Sequence, residues 1–277
     1  MPVFLAALGM FAILFAVVII TVRITGRREA AQGRPQDRIQ DPSMKKIMAI
    51  QTAIKAANPE YEEDGDFTVE NGRITKARLT KAGISELSPL MGVPLVSLDC
   101  SGNKITDVSP LTGMPLELLV CVTNQIKDLS PLKGMGIRRL AVSYNPIGDL
   151  TPLVGMPLAR LACAKTNITN LEPLRGAQLE RLDCSSTAIR DLSPLTGMPL
   201  ELLSIHNTEV TNLTPLAGMN LKTFSFTPTK IRQGLDTVRN MSSIKEIGLG
   251  GSDLSSPKDF WADYDREQKA KNAPAKK

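Results

Sequence analysis

The chain has 277 residues, of which 42% are hydrophobic but only 4% aromatic, and a formal net charge of +5. So few rings exclude an interior of aromatic clusters, and the core has to be built from stacked aliphatic side chains. The basic excess lies in the flanks, with five Arg against three acids in residues 23–41 and six bases against four acids in residues 258–277. The body between is near neutral, so the basic balance does not argue for a nucleic-acid groove, which would need basic residues clustered on one face, and no nucleic-acid partner is expected.

Residues 3–22 form an apolar run of 20 residues without a charge. At ~1.5 Å per residue it reaches ~30 Å, the thickness of a bilayer core, and predicts one N-terminal transmembrane helix that anchors a single-pass protein. A cleaved signal peptide is the alternative. It would have a basic start, a shorter apolar stretch and small residues before the cut, whereas here Arg23, Arg27 and Arg28 follow the run and no charge precedes it. These arginines favour a cytoplasmic body, but arginine at the end of a span also snorkels to headgroups, so the side stays open. Residues 23–42, rich in Arg, Gln, Gly and Pro, predict a flexible basic linker.

Residues 43–73 are expected to form an N-terminal cap of helix and hairpin. Met44, Ile47, Met48, Ile50, Ile54 and Ala57 have helical spacing, Ser43 stands where an N-cap would, and Pro59 should stop the helix. Glu60 to Asp66 is acidic but lacks the spaced ligands of a calcium loop, and reads as a solvated connection. Phe67–Val69 and Gly72–Ala77 predict a hairpin turning at Asn71-Gly72.

From residue 74 to 257 one phrase returns every 21 residues, beginning at Ile74, Leu95, Leu116, Ile137, Leu158, Leu179, Leu200 and Leu221, and slipping before Ile244. A period in this range, with apolar residues at spacings of 3, 2, 5, 3, 3 and 3, predicts an α/β solenoid of leucine-rich repeats, with a parallel β-sheet on the concave face. In the unit starting at Leu95, Leu98 and Cys100 should point inward and Ser97, Asp99 and Ser101 outward to the concave face. Asn103, Asn124 and Asn145, replaced later by Thr166, Thr187, Thr208 and Thr229, occupy a slot suited to binding backbone groups where the strand turns away. The recurrent Ser/Thr-Pro-Leu predicts one short 3-10 or helical turn on the convex side, because proline suits a first turn and not a helix interior.

The phrase LxxLxCxxNxIxDLSPLxGMP resembles the internalin-like leucine-rich repeats of bacteria, shortened by one residue. The cap ending Ala57-Asn58-Pro59, the phrase Leu182-Asp-Cys184-Ser-Ser-Thr187 and the terminal Asp259-Phe260-Trp261-Ala-Asp-Tyr264-Asp265 are similar to repeat regions attached to planctomycete-type serine/threonine kinases. That resemblance implies a binding or sensory module beside a signalling protein. The chain departs from such fusions in having no glycine-rich loop, Val-Ala-Ile-Lys strand, His-Arg-Asp loop or Asp-Phe-Gly.

Cys100, Cys121, Cys163 and Cys184 share a slot that aliphatics fill elsewhere, which favours buried packing; disulfides between neighbours remain open, and no Cys-x-x-Cys or His pattern supports a metal. His206, the only histidine, is expected on the concave strand near Asp183, as a contact residue or a bystander. No nucleophile, metal or phosphate-loop motif is present, so neither an enzyme nor a cofactor is predicted. Concave residues are not dictated by stacking. There Leu118, Val120 and Val122 predict an exposed apolar patch, and Arg139, Arg160 and Arg181 a guanidinium column suited to an acidic or phosphorylated partner, or else a solvated ladder relieved by Asp183 and salt. After Ile231 the longer coil permits a fuller helix, Ile244, Ile247 and Leu249 predict the last strand, and residues 258–268 an aromatic lid ahead of a disordered basic tail, 269–277. The expected function is recognition of a protein partner on the concave face of a membrane-anchored repeat protein. An envelope-organising structural protein, or an accessory sensor of a kinase, is the alternative.

Overall fold

The computed structural model describes residues 42–62, 65–250 and 253–271. Helix α1 (Pro42–Ala57) leads into the hairpin β1 (Asp66–Glu70) and β2 (Arg73–Arg78). The hairpin turns where expected, with Asn71 and Gly72 both at positive φ, +51° and +70°, as a two-residue primed turn needs. Eight strands of three residues come next: β3 (Ser97–Asp99), β4 (Leu118–Val120), β5 (Arg139–Ala141), β6 (Arg160–Ala162), β7 (Arg181–Asp183), β8 (Leu202–Ser204), β9 (Thr223–Ser225) and β10 (Glu246–Gly248). β11 (Leu254–Ser255) closes the sheet antiparallel to β10, and every pair from β2 to β10 is parallel and in register. Helix α2 (Leu235–Arg239) fills the lengthened coil, and α3 (Pro257–Lys271) ends the described chain.

Each coil turns for reasons carried by its own residues. Leu98 and Cys100 are fully buried, as are their counterparts in the coils up to Phe224 and Phe226, and all four cysteines are free thiols in this core. On the convex side an Asp or Asn accepts the amide two residues on, as in Asp107 from Ser109 N at 2.7 Å and Asp128 from Ser130 N at 2.8 Å, which sets the chain for a single 3-10 turn such as Ser109–Leu111. Proline occupies that turn without losing a hydrogen bond, and a glycine at φ near +75°, Gly113 for example, redirects the chain. After each strand from β2 to β8 one residue lies in the left-handed region. It is Gly102 in one coil but Lys81, Thr123, Tyr144, Lys165, Ser186 and Asn207 in others, at φ of +52° to +58°.

The polar slot forms a ladder. Asn124 accepts Ile105 N at 3.0 Å and donates to Cys100 O and Cys121 O, thereby tying two coils together. Asn103 and Asn145 do the same. Thr166, Thr187 and Thr208 donate only within their own coil, to the carbonyl three residues back. Asn58, at the end of α1, extends the ladder into the cap: it accepts Ser85 N and Glu86 N at 2.8 Å and donates to Ile54 O and Glu86 O at 3.0 Å.

Several expectations need correction. The single-pass membrane placement is not retained: among the described residues no helix is long and apolar enough to cross a membrane, and residues 3–22 and the linker to 41 lie outside the described residues. The helices that are described are too short and too charged, α1 with 16 residues and three lysines, α3 with 15 and many charges. Ser43 does not cap α1 but lies inside it, because Pro42 already occupies a first-turn position. The acidic connection is not wholly solvated. Tyr61 is fully buried and its hydroxyl accepts Gly65 N, and a Cβ on Gly65 would collide with Leu79 and Tyr61. Leu249 is 55% exposed instead of facing inward, since the lid takes its place over Phe226, with ring centroids of Phe260 and Trp261 at 5.9 and 6.4 Å. The helix of that lid runs through Lys271, so residues 269–271 are helical rather than part of a tail; 272–277 lie outside the described residues.

Candidate functional site

The parallel register decides which concave side chains meet. Position one of each strand forms the row Ser97, Leu118, Arg139, Arg160, Arg181, Leu202, Thr223, and position three forms the row Asp99, Val120, Ala141, Ala162, Asp183, Ser204, Ser225. Successive members are ~4.8 Å apart across the sheet.

Arg139, Arg160 and Arg181 therefore do form a column, each half-buried, bracketed by Leu118 and Leu202. None of the ion pairs among the described residues includes any of the three. Burial, then the guanidiniums of Arg181 and Arg139, pull Arg160 below the usual arginine range, while nearby Glu180 works the other way. Glu201 feels Arg181 but is hydrogen-bonded to Lys222. The column keeps its charge, since a guanidinium does not lose its proton in a protein.

The apolar residues beside it are less open than their sequence suggested. Leu118 and Val120 are only 8% and 7% exposed, and with Ala141 and Ala162 they make a small apolar cluster apart from the main core, with Val122 half-buried against it. The register sets Leu118 beside Arg139 and Val120 beside Ala141, and side chains one strand apart on the same face cover one another. The result is an apolar floor flanked by cations, not a protruding patch.

His206 lies in the turn after β8 rather than on the strand. Its Nδ1 is 3.0 Å from Ser204 Oγ and 3.4 Å from Ser225 Oγ, and the two hydroxyls are 2.6 Å apart. Gly250 packs so closely on the imidazole that a Cβ there would overlap it. Burial pulls the imidazole below its ordinary pKa against the opposing pull of Asp183. Burial pushes Asp183 up, although Ser185 N donates to it at 3.0 Å and His206 stabilises its charge. The sequence singles out His206 and Asp183 of this polar cluster, and nothing in it marks Ser204 or Ser225. Ser204 is 3% exposed and engaged by two partners, so its hydroxyl is poorly placed to attack a substrate.

No protein-family model matches the chain, and no curated protein matches it. Solved structures do. One is an internalin (InlF) of Listeria monocytogenes, 20% identical, with a TM-score of 0.52 over 74% of this chain and 68% of that one. Another is internalin C2 of the same organism, 24% identical, with a TM-score of 0.50 over 65% of this chain and 92% of that one. At this level of identity the likeness establishes the fold: this chain is a leucine-rich-repeat solenoid of the kind found in bacterial internalins.

Proposed function

We propose that the chain is a non-catalytic protein-recognition module whose concave face holds the partner. The observation that supports this reading is the unneutralised Arg139–Arg160–Arg181 column lying directly beside the Leu118/Val120/Ala141/Ala162 floor. Guanidiniums make paired hydrogen bonds to carboxylates or phosphates, and an adjacent apolar floor gives the desolvated centre on which interface energy concentrates. Short parallel strands hold these groups at fixed spacing, so little ordering remains to oppose binding. Val122 and His206 sit at the edge of the same face and are read as its periphery.

The test uses surface residues, because Val120 is too buried to replace without risk to the fold. Immobilised protein should capture partners from a lysate of its own cells; Arg160→Glu and Val122→Asp should lose them, while Lys127→Glu, on an exposed position outside the sheet, should keep them. Circular dichroism checks that all three variants are folded. Equal capture by all would remove the concave face from recognition.

A further inference from the structure

The shape of the cationic column constrains the chemistry of what it holds. Its three arginines stand on three successive strands, with backbones ~5 Å apart, so the cationic row extends across the sheet over more than the width of one phosphate ester. Along the same row the column is closed at both ends by leucine, Leu118 and Leu202, and along the neighbouring row it faces the small side chains Ala141 and Ala162. The nearest carboxylates do not neutralise it: Glu180 forms no ion pair among the described residues, Glu201 is taken by Lys222, and Asp183 is buried beneath the surface with its charge disfavoured. A ligand that satisfies this face must present several separated negative charges with aliphatic groups between and beside them.

Resting on the concave reading above, we propose that the occupant is an acidic, aliphatic peptide segment of a partner protein, lying across the strands with successive Asp or Glu carboxylates on Arg139, Arg160 and Arg181 and aliphatic side chains against Leu118, Leu202 and the alanine floor. Free phosphate or a single phosphorylated side chain would leave the apolar brackets at Leu118 and Leu202 unused.

The experiment is a selection from a random peptide library on the immobilised full chain, followed by fluorescence anisotropy with the recovered sequences as labelled synthetic peptides. Recovered peptides should be rich in Asp or Glu interspersed with Leu, Ile or Val. Their affinity should fall about tenfold or more with Arg160→Glu, and similarly when salt is raised from ~50 to ~300 mM, because exposed charges are screened over that range. Replacing their acids by Gln or Asn should abolish binding. Peptides without acidic enrichment that still depend on Arg160 and Val122, or an empty selection, overturn the proposal while leaving concave recognition standing. Recovered peptides indifferent to both Arg160→Glu and Val122→Asp overturn the concave reading with it. If phosphoserine in place of each acid raises affinity about tenfold or more, the column is a phosphate reader and the carboxylate assignment fails.

Discussion

The coils built on asparagine and the coils built on threonine have the same backbone but are joined differently. In the first half Asn103, Asn124 and Asn145 each reach the preceding coil as well as their own. In the second half Thr166, Thr187 and Thr208 each make one bond, inside their own coil. A solenoid is stabilised by a sum of coil terms and nearest-neighbour terms. Asparagine contributes to both and threonine only to the first. The first half is thus cross-braced by side chains, and the second depends on packing, backbone bonds between coils and the Phe226, Phe260 and Trp261 lid.

The largest effect that would sharpen this comparison lies where the ladder enters the cap. Asn58→Ala removes four hydrogen bonds to backbone groups at a residue 1% exposed and should cost about 3 kcal/mol or more, read as a lower midpoint in urea. A loss under ~1 kcal/mol would mean the cap is held by α1 packing alone. Within the array, Asn124→Ala should cost ~2–3 kcal/mol and Thr187→Val only ~1 kcal/mol, because four backbone groups lose a partner in one case and one in the other. Equal losses in the same denaturation assay would break the distinction between the two halves.

A smaller contrast is set by two acids close in sequence. The Ser193 hydroxyl and amide hold Asp191 below the usual carboxylate range, so its stabilisation is present above the unfolded pKa of 3.8 and is lost as pH falls through the lower folded value. Burial raises Asp183, so its ionised form opposes folding, and that opposition is relieved as pH falls through the raised folded value toward 3.8. Measured at pH 7, 5 and 3, wild type should therefore lose stability on acidification relative to Asp191→Asn and gain it relative to Asp183→Asn. Parallel trends would contradict one of the two assignments.

The solenoid was readable because stacking imposes one spacing on every coil, so a slot filled by Leu98, Leu119 and Leu140 announces its orientation many times over. The arginine column was readable for the same reason, since equal slots must be neighbours. What the period does not encode is how much of a side chain its neighbours cover. Leu118 and Val120 looked exposed because their slots face outward, and are buried because in-register neighbours, Arg139 and Ala141 among them, stand beside them on the same face. Asn58 was invisible as a ladder member because its partners, Ser85 and Glu86, are 27 and 28 residues away, outside the 21-residue rhythm. Leu249 was misplaced where that rhythm had already slipped, and a ring from α3 filled its space. His206 and Asp183 drew notice as titratable groups, whereas their link through Ser204 and Ser225 depends on pairing between three strands and left no mark in composition.

The left-handed residue after each strand from β2 to β8 bears on how far this protein is from its own stability ceiling. Lys81, Thr123, Tyr144, Lys165, Ser186 and Asn207 hold a conformation that costs an L-residue roughly 1–2 kcal/mol, least for Asn207, while Gly102 holds it freely. Summed over the array, this conformational burden is of the same order as the whole net stability of a typical domain, ~5–15 kcal/mol. The turns that hold the arginines in register are thus maintained against a recurrent local preference to relax, and six coils each retain a position, off the strands, where that local cost could be lowered.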